Sequence, residues 1–154
     1  MFIKQTKNLL NLQNLIIFRV FKLDISNKKL ESAIRFGATH RVKSDKTDLK
    51  LNQVIQKVYE LTGMKGADYA FECTAIPELG AAPLALVKNS GTAVQVSGIE
   101  QEISFDCTLF EWDKTYINPL YGMCKPDRDI GKILELYENG HLKLDELITK
   151  NLNP

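Results

Sequence analysis

The apolar positions of the chain change their period several times, and each change marks an element. Residues 15–23 form a dense apolar run of Ile, Phe and Val that predicts a buried strand. The run ends at Asp24. Leu30, Ala33, Ile34 and Phe36 then recur at helical spacing, with Ser26 or Asn27 placed to cap the helix and Gly37 to stop it. Arg41 and Val42 predict a short strand. Leu51, Val54, Ile55, Val58 and Leu61 restore the 3.6-residue period, and the turn residues 62–66 follow. Residues 68–73 (DYAFEC) predict another buried strand. A helix is predicted over 78–87, where Pro83 lies too deep for a first turn and implies a late start or a kink. Strands over 92–96 and 115–121 come next, separated by an irregular stretch, and a helix over 127–139 ends at Gly140. Residues 1–14 match only a weak helix.

Strands alternating with helices of about ten residues imply parallel strands joined by helical crossovers, an α/β fold. No repeat or Gly/Pro-rich linker divides the chain. The expected organisation is a divergent lead-in over 1–14 and one α/β domain over 15–154.

Composition narrows the function classes. The 154 residues are 44% hydrophobic and 25% charged, close to a globular average, and suffice for one domain with a core. Lys and Arg number 20 against 19 Asp and Glu, a net charge of +1 that gives no reason to expect a nucleic-acid partner. No apolar run reaches the ~18 residues of a membrane span. Cys73, Cys107 and Cys124 are far apart and odd in number, which predicts buried free thiols in a reducing, cytoplasmic setting. The first 23 residues carry Lys4, Lys7, Arg19 and Lys22 and no acid. This pattern fits a targeting segment or, more simply, a lead-in to the domain.

Five stretches carry a resemblance. They are LDISNKKLESAIRFGATH (23–40), GMKGADYAFECTAIPE (63–78), LALVKNSGTAVQVSGI (84–99), NPLYG (118–122) and RDIGKILELYENGHLKLDELITK (128–150). In this order and spacing they resemble the cofactor domain of the zinc-type alcohol dehydrogenases of the medium-chain dehydrogenase/reductase superfamily. The resemblance covers about residues 15–150. It implies a Rossmann-like doubly wound sheet that binds NAD. It also implies a parent enzyme that moves hydride between an alcohol or aldehyde and nicotinamide while zinc in a separate domain polarises the substrate oxygen.

Site roles follow only where positions match. Asp24 matches the acid that accepts the adenosine ribose hydroxyls and repels a 2′-phosphate, selecting NAD over NADP; its plain alternative is a helix-start acid. Lys29 matches a lysine beside the same ribose, and is otherwise a solvated helix lysine. Cys73 and Thr74, at the end of their strand, fall on the adenine and ribose side. Ser97, Gly98 and Ile99 match backbone contacts to the nicotinamide side, and Pro119, Leu120 and Tyr121 the segment that bonds its carboxamide. Gly98 and Gly122 also suit plain turns.

Two departures from the family pattern weigh against activity. The last glycine of a GxGxxG loop is due about 20 residues before the ribose acid, yet no glycine precedes Gly37. The expected sheet therefore lacks its first strand and its phosphate loop, leaving NAD binding weak or lost. His40 and His141 are isolated, and no Cys/His cluster has zinc-ligand spacing. No catalytic or metal residue is assigned. The expectation is the cofactor half of such an enzyme, clipped at both ends and inactive alone. The alternative is a non-catalytic interaction remnant, pairing as a homodimer through residues 103–121, where Phe105, Phe110, Trp112 and Tyr116 cluster.

Overall fold

The computed structural model describes residues 1–8 and 16–148. Residues 9–14 of the expected lead-in, Leu15 at the start of the strand expected over 15–23, and 149–154 of the tail lie outside it. The chain forms two compact units, Met1–Pro119 and Leu120–Pro154.

The first unit is an α/β structure built on one six-stranded sheet. Its elements are β1 (Phe2–Asn8), β2 (Ile16–Asp24), α1 (Asn27–Arg35), β3 (His40–Lys43), α2 (Asn52–Leu61), β4 (Ala67–Glu72), α3 (Ala82–Leu86), β5 (Val87–Gln95) and β6 (Thr115–Ile117). The strand order is β3-β2-β1-β4-β5-β6. That is the 3-2-1-4-5-6 order of the doubly wound dinucleotide-binding fold, with one difference. β1 is antiparallel to both β2 and β4, whereas the other neighbours are parallel in pairs. Five strands thus run one way and β1 alone runs against them.

Residues 1–14 read as a weak helix, but Phe2–Asn8 is the central strand. Ile3 supplies the inward position, fully buried between its register partners Phe21 and Ala70. The cause lies in the neighbours. A gap between β2 and β4 would leave two rows of backbone donors and acceptors unpaired, and β1 satisfies both rows. The parallel first strand with its glycine-rich turn, expected to be missing, is not among the described residues; its slot is filled by this reversed strand.

The main apolar cluster joins the sheet to α2 and α3. Ile3, Phe21, Leu23, Val42, Ala67 and Ala70 pack with Val54 and Val58 of α2 and Leu86 of α3. The helices start where local chemistry allows. Ser26 caps α1 through Lys29 N–H. The Asp48 carboxylate accepts Asn52 N–H and Gln53 N–H, each at 3.0 Å, at the start of α2. Pro83 stands at the second residue of α3, so the awkward proline does mark a late start; a single 3-10 turn at Pro77–Leu79 precedes it. β5 begins earlier than the pattern predicts and β6 ends earlier, at Ile117.

The second unit holds a kinked 3-10 turn (Leu120–Met123), α4 (Pro126–Glu138) and a 3-10 turn at Asp145–Leu147. Pro126, Asp127 and Asp129 suit the first turn of α4. Gly140 follows the helix at φ +70°.

Candidate functional site

In an open α/β sheet the ligand crevice lies beyond the carboxyl ends of the strands, where the strand order reverses. Here that edge carries the ends of β2, β4 and β5, and between β2 and β4 it carries the start of β1.

Asp24 is the last residue of β2. Its Oδ1 accepts Ser26 N–H at 3.0 Å, and Lys22 Nζ lies 3.2 Å from its Oδ2. Burial alone would raise the Asp24 carboxyl; the Ser26 N–H and Lys22 outweigh it and hold it below the ordinary carboxylate range. The acid is therefore ionised and fixed in direction. Lys22 is fixed as well, its ammonium 4.2 Å from the centroid of the Phe2 ring. Lys29 lies in the first turn of α1, with its side chain in solvent and its backbone N–H on Ser26. Lys43, register partner of Asp24 on β3, donates to the Ile25 carbonyl. A cavity of about 370 Å³ opens beside it, lined by Asn27, Leu30, Glu31, Arg41 and Lys43.

The β4 and β5 ends are joined through a residue the sequence reading did not single out. Glu72 is fully buried, and its carboxylate accepts Thr74 N–H and the hydroxyls of Thr74 and Ser97. Three donors satisfy the acid and lock Thr74 and Ser97 to one another. Gln95 continues the array, its Nε2 donating to Ser97 O at 3.1 Å. The Tyr116 hydroxyl lies 2.9 Å from both Gln95 Oε1 and Gly80 O. The sequence signal for this array is an acid at the last position of β4, two residues after the buried Ala70 and so on the same face.

Cys73 is exposed, as is Cys107, while Cys124 is half-buried; the expectation of buried thiols is corrected. Cys73 follows the end of β4, Cys124 follows the 3-10 turn Leu120–Met123 and Cys107 opens the 3-10 turn Cys107–Phe110, so none holds an inward strand position. Partial desolvation of its sulfur holds the Cys73 thiol above its ordinary value, so it is no activated nucleophile. Gly98 is exposed and Ile99 half-buried in the loop after β5. Leu120 and Tyr121 belong to the second unit, 78% and 86% exposed, with Tyr121 at φ 48°. The strand expected to carry them stops before Pro119. His40 stacks on Phe21, ring centroids 4.7 Å apart; His141 is exposed.

Among the described residues no three His, Cys, Asp or Glu side chains come together as metal ligands. The donor set of the described residues does not fit a catalytic zinc, which needs three protein ligands.

A sheet of this order, closed at its second strand by a fixed acid, defines a dinucleotide-binding type of α/β domain. The comparisons with known proteins make the assignment narrower. Residues 11–136 match the family model of the zinc-binding dehydrogenases, and the chain belongs to that family. It is 31% identical over 140 residues to alcohol dehydrogenase-like 6 of Arabidopsis thaliana, covering 88% of this chain and 35% of that protein. It is 32% identical over 129 residues to D-xylulose reductase of Saccharomyces cerevisiae, covering 82% of this chain and 35% of the relative. Benzyl alcohol dehydrogenase from Acinetobacter calcoaceticus superposes with a TM-score of 0.72 at 25% identity, over 82% of this chain and 34% of the other. The chain thus spans about a third of the length of the proteins it matches. It is related to the NAD-binding region of the zinc alcohol dehydrogenases. Among the described residues no helix is long and apolar enough to cross a membrane.

Proposed function

We propose that this chain is the NAD-binding part of a zinc alcohol dehydrogenase, retaining the adenosine end of the cofactor site and carrying out no hydride transfer by itself. The observation that supports this most is Asp24, ionised and aimed by Ser26 N–H at the crevice edge where Thr74 and Ser97 also lie. The carboxylate keeps lone pairs for the ribose hydroxyls. Glu72 holds Thr74 and Ser97 in place beneath the nucleoside. NAD, when bound to a complete enzyme, supplies the hydride acceptor, and the alcohol or aldehyde is the substrate class of that enzyme. Among the described residues no backbone cradle stands ready for the pyrophosphate: the start of β1 fills the slot where a glycine loop and helix N-terminus would stand.

Calorimetric titration tests the reading. NAD and 5′-AMP bind at about millimolar Kd, and Asp24→Ala abolishes both. Micromolar NAD affinity would contradict the missing cradle, and an Asp24→Ala variant that binds as wild type would remove the ribose role. Steady NADH production from alcohols by the purified chain with zinc would contradict the lack of turnover.

A pairing role for residues 103–121 is a second reading. It is favoured by the edge position of β6 and by Trp112, which is 65% exposed. Phe105 counts against it, since it packs edge-on to Tyr116 within the unit at 4.9 Å. Light scattering at tens of micromolar decides it, and a clean monomer would end it.

A further inference from the structure

An acid at the end of β2 is expected to exclude a 2′-phosphate by repulsion. In this chain its charge is already met. Lys22 Nζ lies 3.2 Å from Asp24 Oδ2, and both side chains are only 13% exposed, so solvent screens the pair weakly. Lys22 is held there from behind by the Phe2 ring, which the reversed β1 brings alongside as its register partner. Lys43 places a second ammonium on the carbonyl of Ile25, the residue after the acid. Lys29 adds positive potential at the carboxylate from α1. The opposing groups are few: Glu31 lines the neighbouring cavity, but Arg41 lines it too. Three lysines from three elements therefore surround one acid.

We propose that this edge accepts adenine nucleotides carrying a 2′-phosphate as readily as those without one, and that Lys22 is the residue that sets this tolerance. Lys22 neutralises Asp24 in the free chain. When a 2′-phosphoryl group arrives, the ammonium stays on the carboxylate and offers its remaining N–H donors to the phosphate, so the acid remains neutralised while the phosphate gains a cation. Asp24 keeps its Ser26 bond and its place at the ribose. The proposal rests on the adenosine site of the preceding section.

The test compares 2′-AMP with 5′-AMP by calorimetric titration of the full chain, since both carry the same charge and neither needs a pyrophosphate cradle. In wild type the two Kd values agree within about threefold. Lys22→Met raises the Kd of 2′-AMP relative to 5′-AMP by about tenfold, the scale of one unit charge removed from a partly screened site. Lys22→Arg keeps the wild-type ratio, and a thermal melt of each variant verifies folding. Lys46→Met, which removes a charge from an exposed loop, leaves the ratio unchanged. An unchanged ratio in Lys22→Met, or a wild type that already disfavours 2′-AMP by more than about tenfold, overturns the proposal. Absence of saturable binding by 5′-AMP overturns the adenosine site itself, a distinct result.

Discussion

Replacing Ile3 by Ala probes the reversed central strand directly. Ile3 is 0% exposed and sits between Phe21 and Ala70 in the core. The change removes three buried carbons, about 2.4 kcal/mol at ~0.8 kcal/mol per group. It leaves a cavity of roughly 70 Å³ if nothing relaxes, a further ~1.7 kcal/mol at ~24 cal/mol per Å³. The expected loss is about 4 kcal/mol, within the range of about 2–5 for such truncations. With a urea slope of about 2 kcal/mol/M, the midpoint falls by about 2 M. Phe2 is the internal reference. It is the next residue on the same strand, points to the opposite face and is 38% exposed. Phe2→Ala loses the Lys22 contact and part of a packing surface, about 1 kcal/mol. A one-residue slip of β1 would exchange the two faces. The reasoning fails if Ile3→Ala stays within about 0.5 kcal/mol of wild type, or if Phe2→Ala costs more.

Three more outcomes follow from the same geometry. Glu72→Ala strands the Thr74 and Ser97 hydroxyls without their acceptor and lowers stability by about 3 kcal/mol, while Glu72→Gln, which keeps an acceptor oxygen, costs clearly less in the same urea titration; equal losses would refute the clamp. Asp48→Ala removes the acceptor for two N–H groups at the start of α2 and lowers the thermal midpoint by the equivalent of about 1 kcal/mol. Asp24 has a folded-state pKa below its unfolded value, so its contribution is present above about pH 4 and is lost as pH falls through the folded value. The stability gap between wild type and Asp24→Asn is therefore constant near neutrality and narrows in acid. A gap that stays constant down to about pH 2 would exclude the fixed carboxylate.

The sequence carried the features that depend on near neighbours. A strand ending in Asp24, a cap at Ser26 and apolar spacing through Leu30 and Ala33 are local patterns, and α1 follows from them. So are the 3.6-residue period of α2 and the late start that Pro83 imposes on α3. Long-range choices were not legible. The FIKQTKN segment offers one inward apolar residue, Ile3, and becomes a strand only because β2 and β4 flank an open slot. Lys22 looked like one of several scattered cations, because its pairing with Asp24 is a same-face contact two residues away on a strand. Glu72 was passed over because an acid reads as a solvent position, yet its donors come from a turn and from a second strand. Cys73 reads as a core thiol by type, but it stands one residue past the end of β4.

The reversal of β1 also changes when the sheet can form. Parallel neighbours need a crossover of a dozen or more residues, whereas Asn8 pairs with Ile16 across a short link. The β1–β2 ribbon is a local hairpin, and hairpins close in about 1–10 μs. Its other partner, β4, is distant: Phe2 meets Phe71. During synthesis at about 5–20 residues per second, the ribbon is complete some 2–10 s before β4 is made. Throughout that interval the far side of β1 is an unpaired strand edge, open to any other extended chain. Lys4 places a charge on that strand, as natural sheets do where an edge must stay single. The strand that fills the centre of the finished sheet begins as its most exposed border.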